Sequence, residues 1–133
     1  VAPRCLIVDD NQTFLEAARA LLEREGVIVV GIAATAAEAL AQAHALQPDV
    51  VLVDVSLGDA SGFDLARRLA DDDRTRDLPV ILISTRAEAD LGDRVADSPA
   101  DSFLPKSELS AQAIRRILDR PARKAGASEH RGT

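Results

Sequence analysis

Five side chains have types and spacings that could do chemistry together. Asp9 and Asp10 form an adjacent acid pair at the end of the apolar run 5–9, and Asp54 directly follows the apolar run 49–53. Ser84 closes the run 80–83, and Lys106 stands just after 101–104. Carboxylates brought together repel and raise each other's pKa unless a cation compensates. Hard oxygen ligands with open positions suit Mg2+, which keeps waters and completes its shell with phosphate oxygens. A carboxylate nucleophile, a divalent ion, a hydroxyl donor and a compact ammonium are the parts needed to move a phosphoryl group. The chain has no G-x-x-x-x-G-K-[ST] loop to cradle a nucleotide. The acceptor would therefore be the protein itself.

Whether these groups meet depends on the elements that carry them. The runs 5–9, 27–33, 49–53 and 80–83 are short and mostly apolar, as buried strands are, and 101–104 reads as a last short strand. Amphipathic segments alternate with them. Over 12–25, Phe14, Ala17, Ala18, Leu21 and Leu22 share one helical face, and Gly26 stands where a left-handed cap would sit. Thr35 and Glu38 have capping-box spacing ahead of an apolar stripe that runs to Leu46. Ser56 to Gly62 reads as a loop before a helix at 63–71, where Ser61 and Asp64 again have capping-box spacing. Thr85 and Glu88 repeat that spacing before a helix near 87–97, the weakest because it contains Gly92 and few large apolar residues. Ser107 is the expected cap of a final helix at 108–119.

Five strand–helix units make an α/β, doubly wound (βα)5 fold of the flavodoxin-like type. Uniformly apolar strands need helices on both sheet faces, which implies a five-stranded parallel sheet. The common order 2-1-3-4-5 makes strands one and three neighbours, so Asp9, Asp10 and Asp54 would crowd the carboxyl edge where ligands bind in such sheets.

Composition bounds the alternatives. The 133 residues fit one domain, expected at 4–119, with a disordered tail or linker start at 120–133. A lone cysteine, Cys5, excludes a disulfide scaffold and suits a reducing, cytoplasmic setting. A net charge of −6 gives no phosphate counterion term, so direct nucleic-acid binding is not expected. No apolar run approaches the length of a membrane span. His44 and His130 have no metal-ligand spacing, and the acids at 71–73 read as a solvated helix end.

The segments IVDD at 7–10, LVDVSLGDASG at 52–62, LIST at 82–85 and FLPKS at 103–107 together resemble the receiver domain of bacterial two-component response regulators. The resemblance implies that Asp54 accepts phosphoryl from a sensor histidine kinase or phosphotransfer protein. Asp9, Asp10, Asp54 and the backbone carbonyl of Ser56 match the Mg2+ ligands. Ser84 matches the switch hydroxyl, Lys106 the site lysine and Phe103 the aromatic switch. The implied output is a changed surface of helix four, strand five and helix five, which is also the implied homodimer face.

Several positions depart from the family pattern. Ser107 follows the lysine where Pro is usual, which leaves the isomer of that bond open. Gly58 should loosen the loop after Asp54, small Ser56 leaves attacking water less obstructed, and Thr85 could narrow phosphoryl access. Phe103 has no hydroxyl, so only packing could read its position. Three alternatives stand beside the free receiver. One is a module of a longer DNA-binding transcriptional regulator, and another is a pseudo-receiver that never takes phosphate. The third, a flavodoxin-like cofactor binder, would need a phosphate cradle where the chain has Asp9 to Thr13.

Overall fold

The computed structural model describes residues 2–57, 60–86 and 88–119, with only the backbone at 88 and 89. Gly58, Asp59, the side chain of Glu88 and the tail 120–133 with His130 lie outside the described residues, as do the expectations attached to them.

Five strands form one parallel sheet: β1 (Arg4–Val8), β2 (Ile28–Ala33), β3 (Val50–Asp54), β4 (Val80–Ser84) and β5 (Ser102–Pro105). Their order is β2-β1-β3-β4-β5, the doubly wound arrangement expected. β3 and β4 are buried at every position, so each needs cover on both faces.

The period of two along a strand divides that cover. Leu6, Val8, Val51, Val53 and Leu82 point to one face and pack on Ala39, Ala43, Leu65 and Leu69. Those four come from α2 (Ala36–Leu46) and α3 (Gly62–Asp71). Cys5, Ile7, Leu52, Ile81 and Ile83 point to the other face, against Leu15, Leu22, Ile114 and Ile117. These belong to α1 (Gln12–Arg24) and α5 (Ala111–Leu118). Fully burying one Leu or Ile is worth about 1.5–3 kcal/mol, so the central strands hold the fold together.

The sequence-level boundaries need four corrections. In α1 the buried stripe is Leu15, Ala18 and Leu22, whereas Ala17 is exposed. The larger Leu15 takes the core position, and Phe14 is left on the flank, half-buried. Ser56 to Gly62 is not plain loop, since Ser56–Leu57 pairs antiparallel with Ala60–Ser61. The fourth helical segment is a 3-10 turn, Glu88–Leu91, followed by a single α turn, α4 (Arg94–Asp97). The break falls at Gly92, where φ is +62°. The last helix is capped by Ser110, not Ser107. Lys106–Glu108 is a 3-10 turn, and the Ser110 hydroxyl accepts from Ala113 N at 3.0 Å. Glu25 Oε1 also accepts from Ala111 N at 2.8 Å, so that helix start is held twice.

Other local readings match. The Thr35 hydroxyl accepts from Glu38 N at 3.1 Å, while the Glu38 carboxylate reaches back to Ala34 N. Gly26 has a φ of +95°. Among the described residues every peptide bond is trans, including that between Lys106 and Ser107. Within the acids at 71–73, Asp72 is more than a solvated helix end, because His44 reaches it. The two pair at 2.7 Å and tie α2 to the end of α3. No helix of the described residues is long and apolar enough to cross a membrane.

Candidate functional site

β1 and β3 are in register, with Val8 beside Val53, so the residues that follow them emerge side by side at the carboxyl edge. Asp9 is fully buried there. Its Oδ1 accepts from Asn11 N at 2.8 Å, and its Oδ2 takes the Lys106 ammonium at 2.5 Å. Asn11 in turn caps α1 by accepting from Phe14 N. The first turn after β1 therefore fixes both the acid and the helix beside it.

Asp54 is the last residue of β3 and is almost wholly buried. Ser56 N lies 3.4 Å from its Oδ1, and Lys106 Nζ lies 3.6 Å from its Oδ2. Burial pushes the Asp54 carboxyl up to about 6, and the Asp9 charge adds to the rise. Lys106 and the Ser56 N–H pull the other way. Sequence reasoning gave like-charge repulsion as the cause, but desolvation is the larger one.

Asp10 is exposed at the rim. One carboxylate oxygen from each of Asp9, Asp10 and Asp54 lies within 4.8 Å of the others, close enough to share one ion. All three donors are hard oxygens, two of them buried, which fits an octahedral cation that keeps some of its waters.

Ser84, at the end of β4, is buried and one residue beyond Ile83, which pairs with Asp54. Its Oγ accepts from Arg86 N at 2.9 Å, leaving the hydroxyl proton free to donate elsewhere. Lys106 follows edge strand β5, yet it meets acids from β1 and β3, the far side of β4. Phe103, in β5, is half-buried against the core on the α2–α3 face. Ser56 is exposed, with its N–H turned to Asp54. The five groups named from sequence thus belong to one sheet edge, and Asp9, Asp10, Asp54 and Lys106 meet there directly.

Two residues at the site escaped sequence reasoning. Lys106 Nζ sits 4.2 Å from the centre of the Phe14 ring. Phe14 read only as part of a helical apolar face; its place in the first turn of α1, just after Asp9 and Asp10, was the available signal. Gly62 starts α3 so close to β3 that a Cβ there would lie 2.0 Å from the Asp54 carbonyl oxygen and 2.8 Å from Val55 Cα. Its spacing of eight from Asp54 carried no signal.

The chain matches the model of the response regulator receiver domain over residues 5–119. It is 33% identical over 132 residues to the DNA-binding dual master transcriptional regulator RpaA of Synechocystis sp., covering 96% of this chain and 54% of that protein. It is 30% identical over 101 residues to the polar-differentiation response regulator DivK of Brucella anthropi, covering 76% of this chain and 81% of that one. The chain spans about half the length of RpaA and of the phosphate regulon regulator PhoB of Pseudomonas aeruginosa. Among solved structures, a LuxR-family two-component response regulator from Aurantimonas sp. superposes with a TM-score of 0.80 at 27% identity, over 94% of this chain and 91% of that one.

Proposed function

Because this chain belongs to the response regulator receiver domain family, and its acids form a cluster consistent with a phosphoacceptor site, we propose that it is a phosphorylation-dependent signalling switch with Asp54 as the acceptor. The observation that carries this reading is the convergence of Asp9, Asp10 and Asp54 on one point, with Lys106 between Asp9 and Asp54.

In the step proposed, a carboxylate oxygen of Asp54 attacks the phosphorus of a phosphohistidine on a partner kinase or phosphotransfer protein. The P–N bond breaks, the imidazole nitrogen leaves with the bonding pair and takes a proton, and an acyl phosphate forms. Water later cleaves the phosphoryl group and returns the carboxylate. Asp9, Asp10, Asp54 and the Ser56 carbonyl are the set that would hold Mg2+, which when bound neutralises charge on the transferred oxygens. Lys106 and the Ser84 hydroxyl would meet the remaining oxygens.

The new charge and acceptor oxygens would draw Ser84 toward them. Phe103, half-buried on the α2–α3 side of β5, would follow into the vacated space. The response would emerge on α4, β5 and α5, the proposed homodimer face. The support is local: α4 is one turn long and preceded by a glycine break, so little order is lost in moving it. This is a shift between two states of one fold.

A second reading has its own observation. The chain spans about half of RpaA, a DNA-binding transcriptional regulator, so the same switch could act within a longer regulator. Nucleic acid would then be met by the rest of that protein.

The test is incubation with Mg2+ and a small phosphodonor, followed by intact mass. Wild type gaining one phosphoryl group while Asp54→Asn gains none supports the switch. A wild type that gains nothing favours the pseudo-receiver.

A further inference from the structure

We propose that Phe14 is a positioning residue for Lys106, its ring fixing the ammonium between Asp9 and Asp54 and thereby setting how fast phosphoryl is accepted. The claim about rate rests on the phosphoacceptor reading above; the claim about position does not.

Lys106 is the only lysine of the site, and it has a long way to reach. It leaves the sheet after edge strand β5, and the acids it meets stand just after β1 and at the end of β3. A lysine stem has four rotatable bonds, so holding its head at one point costs side-chain entropy. Two contacts to carboxylates, at 2.5 Å and 3.6 Å, pull the head toward the acids. The Phe14 ring, 4.2 Å from Nζ, bounds it on a third side. Lys106 is only 13% exposed as a result, so its attraction to the ring is little screened by water.

An aromatic ring suits this task better than a third acid. Its face attracts a cation without offering another negative group to repel an incoming phosphoryl. The Phe14 backbone is also already fixed, and its side chain packs against the α1–α5 side of the core. Phe14 stands in the first turn of α1, and its own N–H is bound by the Asn11 cap. Asn11 donates to Asp9, so ring, acid and ammonium are set by one turn of chain.

The chain has two lysines, Lys106 and Lys124, so carbon-13 lysine labelling gives two ε-methylene signals, assigned with Lys124→Arg. In the unphosphorylated protein the Lys106 ε-methylene should lie upfield of the Lys124 signal through the ring current. Phe14→Leu should move it downfield, and Phe14→Trp should keep it upfield. An unmoved Lys106 signal in Phe14→Leu overturns the proposal, whether or not the protein takes phosphoryl. With Mg2+ and acetyl phosphate, Phe14→Leu should slow phosphoryl gain about three- to tenfold, in line with one cation–π contact. Phe14→Trp should restore most of the rate. In a Lys106→Ala background, Phe14→Leu should add no further slowing. Equal slowing in both backgrounds, or an unchanged rate in a phosphoryl-competent protein, also overturns it. A wild type that gains no phosphoryl contradicts the phosphoacceptor reading alone, and the methylene shift then decides the positioning claim.

Discussion

Lys106 donates to Asp9 at 2.5 Å across 97 positions of chain, closing the carboxyl edge of the sheet with an ion pair whose acid is fully buried. A buried carboxylate without its cation is strongly unfavourable. The pair therefore makes the site part of the fold's stability, and a divalent ion is the natural substitute for the ammonium.

Lys106→Met keeps the length of the stem and removes the charge. Without metal it should destabilise the protein by on the order of 3 kcal/mol, the cost of leaving one partner of a buried pair. Added Mg2+ should recover much of that loss. Urea unfolding with chelator and with Mg2+ measures both. An equal loss in the two conditions would mean that metal and lysine do not share these acids.

Asp54 gives a pH prediction. In the unfolded chain its carboxyl ionises near 3.8, and in the metal-free fold near 6. Between those values the native state binds more protons, so stability attributable to this group falls as pH rises through that window. The cost is present in full above it. Asp54→Asn should therefore be more stable than wild type at neutral pH in chelator, with the gap narrowing toward pH ~4. Paired urea midpoints across that range check the sign, and a gap that widens on acidification would contradict it.

Gly62 tests how Asp54 is held. A Cβ there would sit 2.0 Å from the Asp54 carbonyl oxygen, which is backbone and cannot swing away. Gly62→Ala must push α3 off β3 or move Asp54. Overpacking of this kind costs about 1–3 kcal/mol. Slower phosphoryl gain should accompany the lower urea midpoint. A variant with wild-type stability and rate would show that the contact is loose.

The alternation of strands and helices was legible in sequence because it follows from periodicity; the sheet order was taken from the common doubly wound arrangement, and the convergence of the acids followed from that order. Runs of apolar residues long enough for strands, each ending in a polar group, put Asp9, Asp54, Ser84 and Lys106 at one edge once the sheet is parallel. What was not legible depends on contacts between distant segments. Ser107 and Ser110 both have cap chemistry, and only the buried seat of Leu109 and the bond from Ala111 N to Glu25 select the later one. Phe14 looks like a core residue until Lys106 is seen across its ring. Gly62 looks like a loop glycine until the Asp54 carbonyl is found against it. His44 and Asp72 lie 28 positions apart, and no local pattern pairs them.

The most direct measurement traps the phosphoryl group where it forms. The protein is loaded with Mg2+ and acetyl phosphate, then reduced with borohydride, which converts an acyl phosphate of aspartate to homoserine. Peptide mass mapping then locates the changed residue. Homoserine at position 54 alone is the predicted result. Homoserine elsewhere with position 54 intact, or no homoserine from a protein shown to carry phosphoryl, would contradict Asp54 as the acceptor.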